Sequence, residues 1–292
     1  MSEPFRFSFL LLCCYLLMAA IAYLFSFVVD QPDHATLVDQ WELASPVKPL
    51  VEDVDLAQAD AKRDPRVEQP IPDFSELGVD ERKQAFVDFM LPMILAENIR
   101  LQQKRLRIIE VADSPDDEDQ DWLYFLRQQY RVPGEQFDLS LLLQHVDMIP
   151  PSLALAQAAN ESGWGTSRFA TQGNNLFGQW CFSSGCGIVP LGRPSGASYE
   201  VKVFASPQES VADYMLNLNR HHAYRSLRQV RYEQRMEEGQ ITGLRLAQGL
   251  LSYSARGQDY VDEVQQMIRS NQFDLLDNLM PLLAPSEQSR VD

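Results

Sequence analysis

The feature that constrains this chain most is an apolar run from Phe7 to Val29, 23 residues without a single charge. A helix of that length spans a hydrocarbon core of about 30 Å, and the run exceeds the ~7–15 apolar residues of a cleavable signal. It therefore reads as a retained transmembrane anchor. Arg6 precedes it, and no Lys or Arg follows until Lys48, whereas Asp30, Asp33, Asp39 and Glu42 crowd the far flank. That asymmetry keeps the N-terminus inside and carries the body across the cytoplasmic membrane. The expectation is a single-pass protein with its globular part in the periplasm or outer envelope space.

The remainder divides by composition. Residues 30–72 are acidic, proline-dotted and weakly periodic, as in a tether that cannot bury a core. Residues 73–284 carry helical periodicity and form the globular domain; residues 285–292 read as a disordered tail. The net charge of −16 excludes a nucleic-acid partner, which would need basic stripes. Charge is uneven, however. From Pro150 to Tyr232 four acids (Glu161, Glu200, Glu209, Asp213) face seven bases (Arg168, Arg193, Lys202, Arg220, Arg225, Arg228, Arg231), a balance that suits an anionic polymer. Cys13 and Cys14 lie in the apolar span as small hydrophobes. Cys181 and Cys186 bracket a short loop without the histidines a zinc site needs, so an oxidising compartment favours a disulfide. No metal or other cofactor is implied.

The fold class expected is α+β and mostly helical. A long helix runs from Asp80 to Val111, with Pro92 placed to kink or divide it. The acidic stretch from Asp113 to Asp119 reads as a solvated loop. Helices follow near Trp122–Gln129, Leu139–His145 and Ser152–Ser162, the last entered through Pro150-Pro151. Glycines, prolines and the alternating run Tyr199–Phe204 mark a small β region, read as a hairpin. Its alternation sets Glu200, Lys202 and Phe204 on one face and Tyr199, Val201 and Val203 on the other. Ser206-Pro-Gln-Glu209 then opens a further helix with a capping-box pattern. His221-His222 reads as solvated loop, and Tyr214, at helical spacing with Val211 and Leu218, as core.

Chemistry concentrates in Gln157-Ala-Ala-Asn-Glu161-Ser-Gly-Trp-Gly165. Gly163 ends the helix, leaving Glu161 in the last turn, where the dipole disfavours a carboxylate. Trp164, Phe169 and Phe177 offer apolar walls that disfavour it further. Both effects raise the carboxyl pKa, as a general acid requires. With Gly173-Asn-Asn-Leu-Phe-Gly178 added, the chain resembles the glucosaminidases of glycoside hydrolase family seventy-three. The likeness extends through Tyr199–Phe204, Glu209–Tyr214, Tyr224 and Leu251–Val261. The upstream helix and the Trp180–Cys186 insertion most resemble the Bax-type, membrane-anchored branch.

The resemblance implies a lysozyme-like fold with a small β lobe, and hydrolysis after N-acetylglucosamine in peptidoglycan glycan strands. It makes Glu161 the proton donor, puts Asn175 and Phe177 at the cleft floor, and sets Tyr224 beside the sugar's N-acetyl group. Trp164 and Trp180 are further candidates for sugar contact. One departure stands out: relatives place a second carboxylate in the β lobe, but residues 187–196 contain no acid. Glu200 is the remaining candidate, expected to pair with Lys202 near the cleft mouth. If Glu200 does not serve, the substrate's own 2-acetamido group must assist. A lytic transglycosylase or muramidase is the rival chemistry, and a catalytically weak wall-binding scaffold the rival without chemistry.

Overall fold

A computed structural model describes residues 70–112, 114–134, 137–237 and 240–280. The expected anchor at Phe7–Val29, most of the linker and the tail lie outside these residues. Among the described residues no helix is long and apolar enough to cross a membrane.

The long helix α1 spans Val79–Val111 without interruption. Pro92, placed to kink or divide the helix, does not divide it. An interior proline costs roughly 3 kcal/mol, yet Met90, Leu91, Met93, Ile94 and Leu95 around it are all buried, and their packing outweighs that cost. Helix α2 (Asp117–Gln129) begins inside the acidic stretch: the Asp116 side chain accepts from the Asp119 amide at 2.8 Å, and three acids occupy the first turn. Part of the expected loop is therefore a helix N-terminus, where carboxylates are favoured. Helix α3 (Leu139–His145) is capped by Asp138. Helix α4 (Pro151–Ser162) starts with proline in its first turn and stops at Gly163 in the left-handed conformation.

After α5 (Arg168–Gly173) comes a three-stranded antiparallel sheet rather than a hairpin. Strand β3 (Glu200–Lys202) lies between β1 (Trp180–Cys181) and β2 (Gly187–Ile188). Burial does not follow side-chain alternation here: Glu200, Val201 and Phe204 are buried, and Val203 is exposed. Lys202 lies over the Phe204 ring at 4.6 Å, on the face the alternation assigns to both. The polypeptide then continues through α6 (Pro207–Arg220), a 3-10 turn at His222–Tyr224 and α7 (Arg225–Glu237). Next come α8 (Gly243–Leu246), a 3-10 turn at Ala247–Leu250, α9 (Gln258–Ser270) and a final 3-10 helix, Phe273–Leu279. Helix α4 is the hub: α1, α8, α9 and the final 3-10 helix pack around it. The ensemble is α+β and mostly helical, and fits the lysozyme-like arrangement expected.

Away from α4, Asp147 is buried with three guanidiniums. Arg235 holds it in a fork at 2.7 and 2.5 Å, with Arg105 at 3.5 Å and the fully buried Arg231 at 3.6 Å. Burial raises its pKa, but Arg105, Arg235 and Arg231 together outweigh that and hold it well below the usual carboxylate range. Asp147→Asn leaves buried cations uncompensated. It is expected to lower unfolding free energy by about 3–5 kcal/mol, read from urea denaturation at neutral pH. Because the folded pKa is depressed, the deficit relative to wild type should shrink as pH falls below the unfolded aspartate value of about 3.9.

Candidate active site

Helix α4 presents Glu161 one residue before its last, on a face set by the Ala-rich turns beneath. Ser162 locks the helix end: its hydroxyl donates to the Ala158 carbonyl at 2.6 Å and accepts from the Gly165 amide at 2.8 Å. Gln157 lies one turn before Glu161 on the same face. Its amide donates to the Tyr260 hydroxyl at 2.9 Å and accepts from the Tyr214 hydroxyl at 2.7 Å. The Tyr260 hydroxyl in turn donates to Glu161 Oε1 at 2.9 Å. A continuous chain, Tyr214 to Gln157 to Tyr260 to Glu161, thus fixes one carboxyl oxygen from below.

The other oxygen meets the Gly173–Gly178 segment. A Cβ on Gly178, whose φ is +67°, would come within 3.3 Å of Glu161 Oε2. Glycine lets the backbone pass close to the acid in a conformation other residues resist. The pairing of the two sequence motifs is therefore a physical contact. Aromatic rings close the rest: Phe177 stacks on Tyr214 at 3.9 Å, and Tyr253 stacks on Tyr260 at 5.3 Å and donates to the Phe177 carbonyl at 3.0 Å. Tyr224 lies 5.9 Å from Tyr253, its hydroxyl hydrogen-bonded to Asn217.

Burial pushes the Glu161 carboxyl up from the ordinary glutamate value. The Tyr260 hydrogen bond partly offsets this, Glu263 adds a repulsive push, and Arg256 an attractive one. Glu263 and Arg256 pair with each other at 2.6 Å at the exposed rim. The site thus combines one carboxyl biased towards its protonated form with tyrosine hydroxyls and little else that titrates near neutrality. Such a group donates a proton to a leaving oxygen.

The other expected site residues distribute as follows. Phe177 is buried against Tyr214 with its carbonyl held by Tyr253, and Tyr224 is drawn into the same aromatic group. Trp180 stays 50% exposed on the edge strand, its ring 4.6 Å from Tyr199. Asn175 is 1% exposed, and all four of its side-chain hydrogen bonds are internal. It donates to the Gln179 and Lys202 carbonyls at 2.9 and 2.8 Å, and accepts from the Phe177 and Gln179 amides at 3.3 and 3.0 Å. It shapes the loop that carries Phe177 and Gly178, with no group left over for a ligand. Trp164 sits in a seam between elements. Its ring packs against Phe86 at 5.7 Å and Phe273 at 6.2 Å, with Lys83 over its face at 5.3 Å, so it joins α4 to both ends of the domain.

Glu200, the candidate second carboxylate, is held by the β lobe. It is 5% exposed and accepts from the Gly185 and Gly187 amides at 3.1 and 2.8 Å, which hold its carboxyl below the ordinary value. Lys202 pairs with Asp213 at 2.8 Å instead. Cys181 and Cys186 form a disulfide, and Glu200 ties the loop between them to the central strand. Sulfur and carboxylate atoms gather within 4.8 Å there, but the sulfurs are spent on each other. Sequence reasoning gave no role to Tyr260, Tyr253 or Gln157. The two tyrosines fall within the Leu251–Val261 likeness, and Gln157 stands at i, i+4 spacing from Glu161; these were the available signals.

Residues 141–273 match the family model described as glucosaminidase, mannosyl-glycoprotein endo-beta-N-acetylglucosaminidase. The chain is similar to "Protein bax" of Escherichia coli (strain K12), with 33% identity over 197 residues that cover 65% of this chain and 70% of that protein. No solved structure matches at a significant level.

Two outcomes follow from this geometry. Tyr260 donates to the ionised form of Glu161, so Tyr260→Phe raises the Glu161 pKa further. The alkaline limb of the kcat/KM profile should then move to higher pH, with turnover down about tenfold or more from lost positioning; a limb moving to lower pH would contradict this. Glu200→Gln, which disturbs the β lobe and not the acid, should lower the melting temperature while kcat/KM stays within about tenfold of wild type.

Proposed function

This chain belongs to the glucosaminidase family, a glycoside hydrolase of the endo-β-N-acetylglucosaminidase type, and from that premise we propose that it cuts peptidoglycan glycan strands after N-acetylglucosamine. The observation that carries the reading is the Glu161 carboxyl, raised by burial, bonded by Tyr260 and touched by Gly178. Protonated Glu161 delivers its proton to the glycosidic oxygen as the bond to the anomeric carbon breaks. Glycosidases commonly place a second carboxylate opposite the acid, but Glu200 is committed to backbone amides and Asp213 to Lys202. Positive charge at the anomeric carbon is therefore met by the substrate's own 2-acetamido oxygen, with the Tyr224 hydroxyl beside the N-acetyl group. Trp180, half exposed on the edge strand, offers a face for a sugar ring further along the cleft.

The anchor at Phe7–Val29 and the acidic linker that follows complete the proposal. They hold the catalytic domain outside the cytoplasmic membrane, where the polymer lies. The disulfide is in keeping with an oxidising compartment.

Glu161→Gln removes the proton and little volume. Purified protein is expected to lose about 10²–10⁴-fold in the release of reducing ends from isolated sacculi, with an unchanged circular dichroism spectrum. A folded variant that keeps most of its activity would remove Glu161 from the role.

A further inference from the structure

A cavity of ≈ 330 Å³ opens between α1, α3 and α7, and shares no lining residue with the group around Glu161. Arg105, Arg228, Arg231 and Arg235 line it against one acid, Asp147, so four positive charges less one negative leave three in excess. Three of these arginines come from α7 at spacings of three and four, which puts them on one helix face. Two of the four, Arg228 and Arg231, belong to the basic portion of the otherwise acidic sequence, and the Glu161 chemistry makes no use of them.

Asp147 answers only part of that charge. Arg231 and Arg235 are fastened to it and to the backbone around it. Arg228 is placed differently. It is 5% exposed, and its Nη1 donates to the Leu218 and His221 carbonyls at 3.1 and 3.0 Å. Among the described residues no carboxylate pairs with it. Burial, and then the charge of Arg225, lower its pKa to about 10, which still leaves it cationic at neutral pH. A buried cation without a counter-ion is costly, and the open cavity beside it is where an anion fits.

The walls choose among anions. Leu139, Leu143 and Met236 are apolar, and Tyr232 adds a ring, whereas Ser140 at the mouth supplies the one aliphatic hydroxyl. Guanidiniums grip phosphate and carboxylate alike in a two-bond fork, so the rest of the lining decides. Apolar walls with one hydroxyl leave a free phosphate little to bond, but they suit a carboxylate at the end of a peptide whose side chains can lie on them. We propose that this cavity captures the terminal carboxylate of a short peptide, which, on the reading that peptidoglycan is the substrate, belongs to the peptide stems of the wall polymer. The enzyme then holds the polymer at a point apart from the bond it cuts.

Calorimetric titration of the full chain in detergent tests this with diacetyl-L-lysyl-D-alanyl-D-alanine, its C-terminal amide, and inorganic phosphate as probes. The free acid is expected to bind at least tenfold more tightly than either of the others. Arg228→Gln and Ser140→Trp are each expected to weaken it tenfold or more. Ser140 is exposed, so filling the mouth there leaves the fold and the Arg228 carbonyl contacts in place. No binding by the acid, equal binding of acid and amide, tighter binding of phosphate, or wild-type affinity in Ser140→Trp would each overturn the proposal. Cleavage of peptide-free glycan strands by wild type reads the Glu161 assignment separately, and Ser140→Trp should leave that rate unchanged while slowing release from intact sacculi.

Discussion

Burial of helix α4 is the constraint on which the rest of the domain depends. From Pro151 to Ala159 every residue is buried, and alanines at 154, 156, 158 and 159 allow its neighbours a close approach. Gly243 of α8 is so near that a Cβ there would collide with the Ser152 hydroxyl. At the N-terminus the Asp277 carboxylate accepts from the Ser152 amide at 3.0 Å, the Ser152 hydroxyl at 2.7 Å and the Gly243 amide at 2.8 Å. An acid is thus supplied where the helix dipole favours one. At the opposite end Glu161 sits where the dipole disfavours one. It is held there because a helix packed on all sides cannot rotate to release it.

Two buried acids show how surroundings decide what burial does. Asp147 stays charged because three guanidiniums surround it. Glu161 has a single tyrosine hydroxyl, with Arg256 and Glu263 acting on it from the rim in opposite senses. The first arrangement fixes the fold. The second leaves a proton available for chemistry, so desolvation is a structural cost at one acid and a functional gain at the other.

Local chemistry made much of this legible in the sequence. Pro151 at a helix start, Gly163 at its end and Ser206 as a cap are decided within a few residues, and each falls where expected. Glu161 was identifiable because its helix position is unfavourable without a use. Its supporting network was hidden, since Tyr260 lies 99 residues away from Glu161 and 103 from Gln157. The contacts of Asn175, Trp164 and Glu200 were not legible, because polar and aromatic residues within a motif look alike until their partners are seen. Asn175 satisfies a loop, Trp164 fills a seam, and Glu200 accepts from one amide in the disulfide loop and one at the start of β2.

The central claim, that burial keeps the Glu161 carboxyl protonated into the range where a general acid works, is open to direct measurement. Carbon-13 NMR of glutamate-labelled protein, with Glu161 assigned from its absence in the Glu161→Gln spectrum, gives its titration curve. The account predicts a midpoint clearly above the ordinary glutamate value of about 4.3. A midpoint at or below that value would show that Tyr260 and Arg256 outweigh burial, and that Glu161 is an ionised carboxylate at neutral pH with no proton to give.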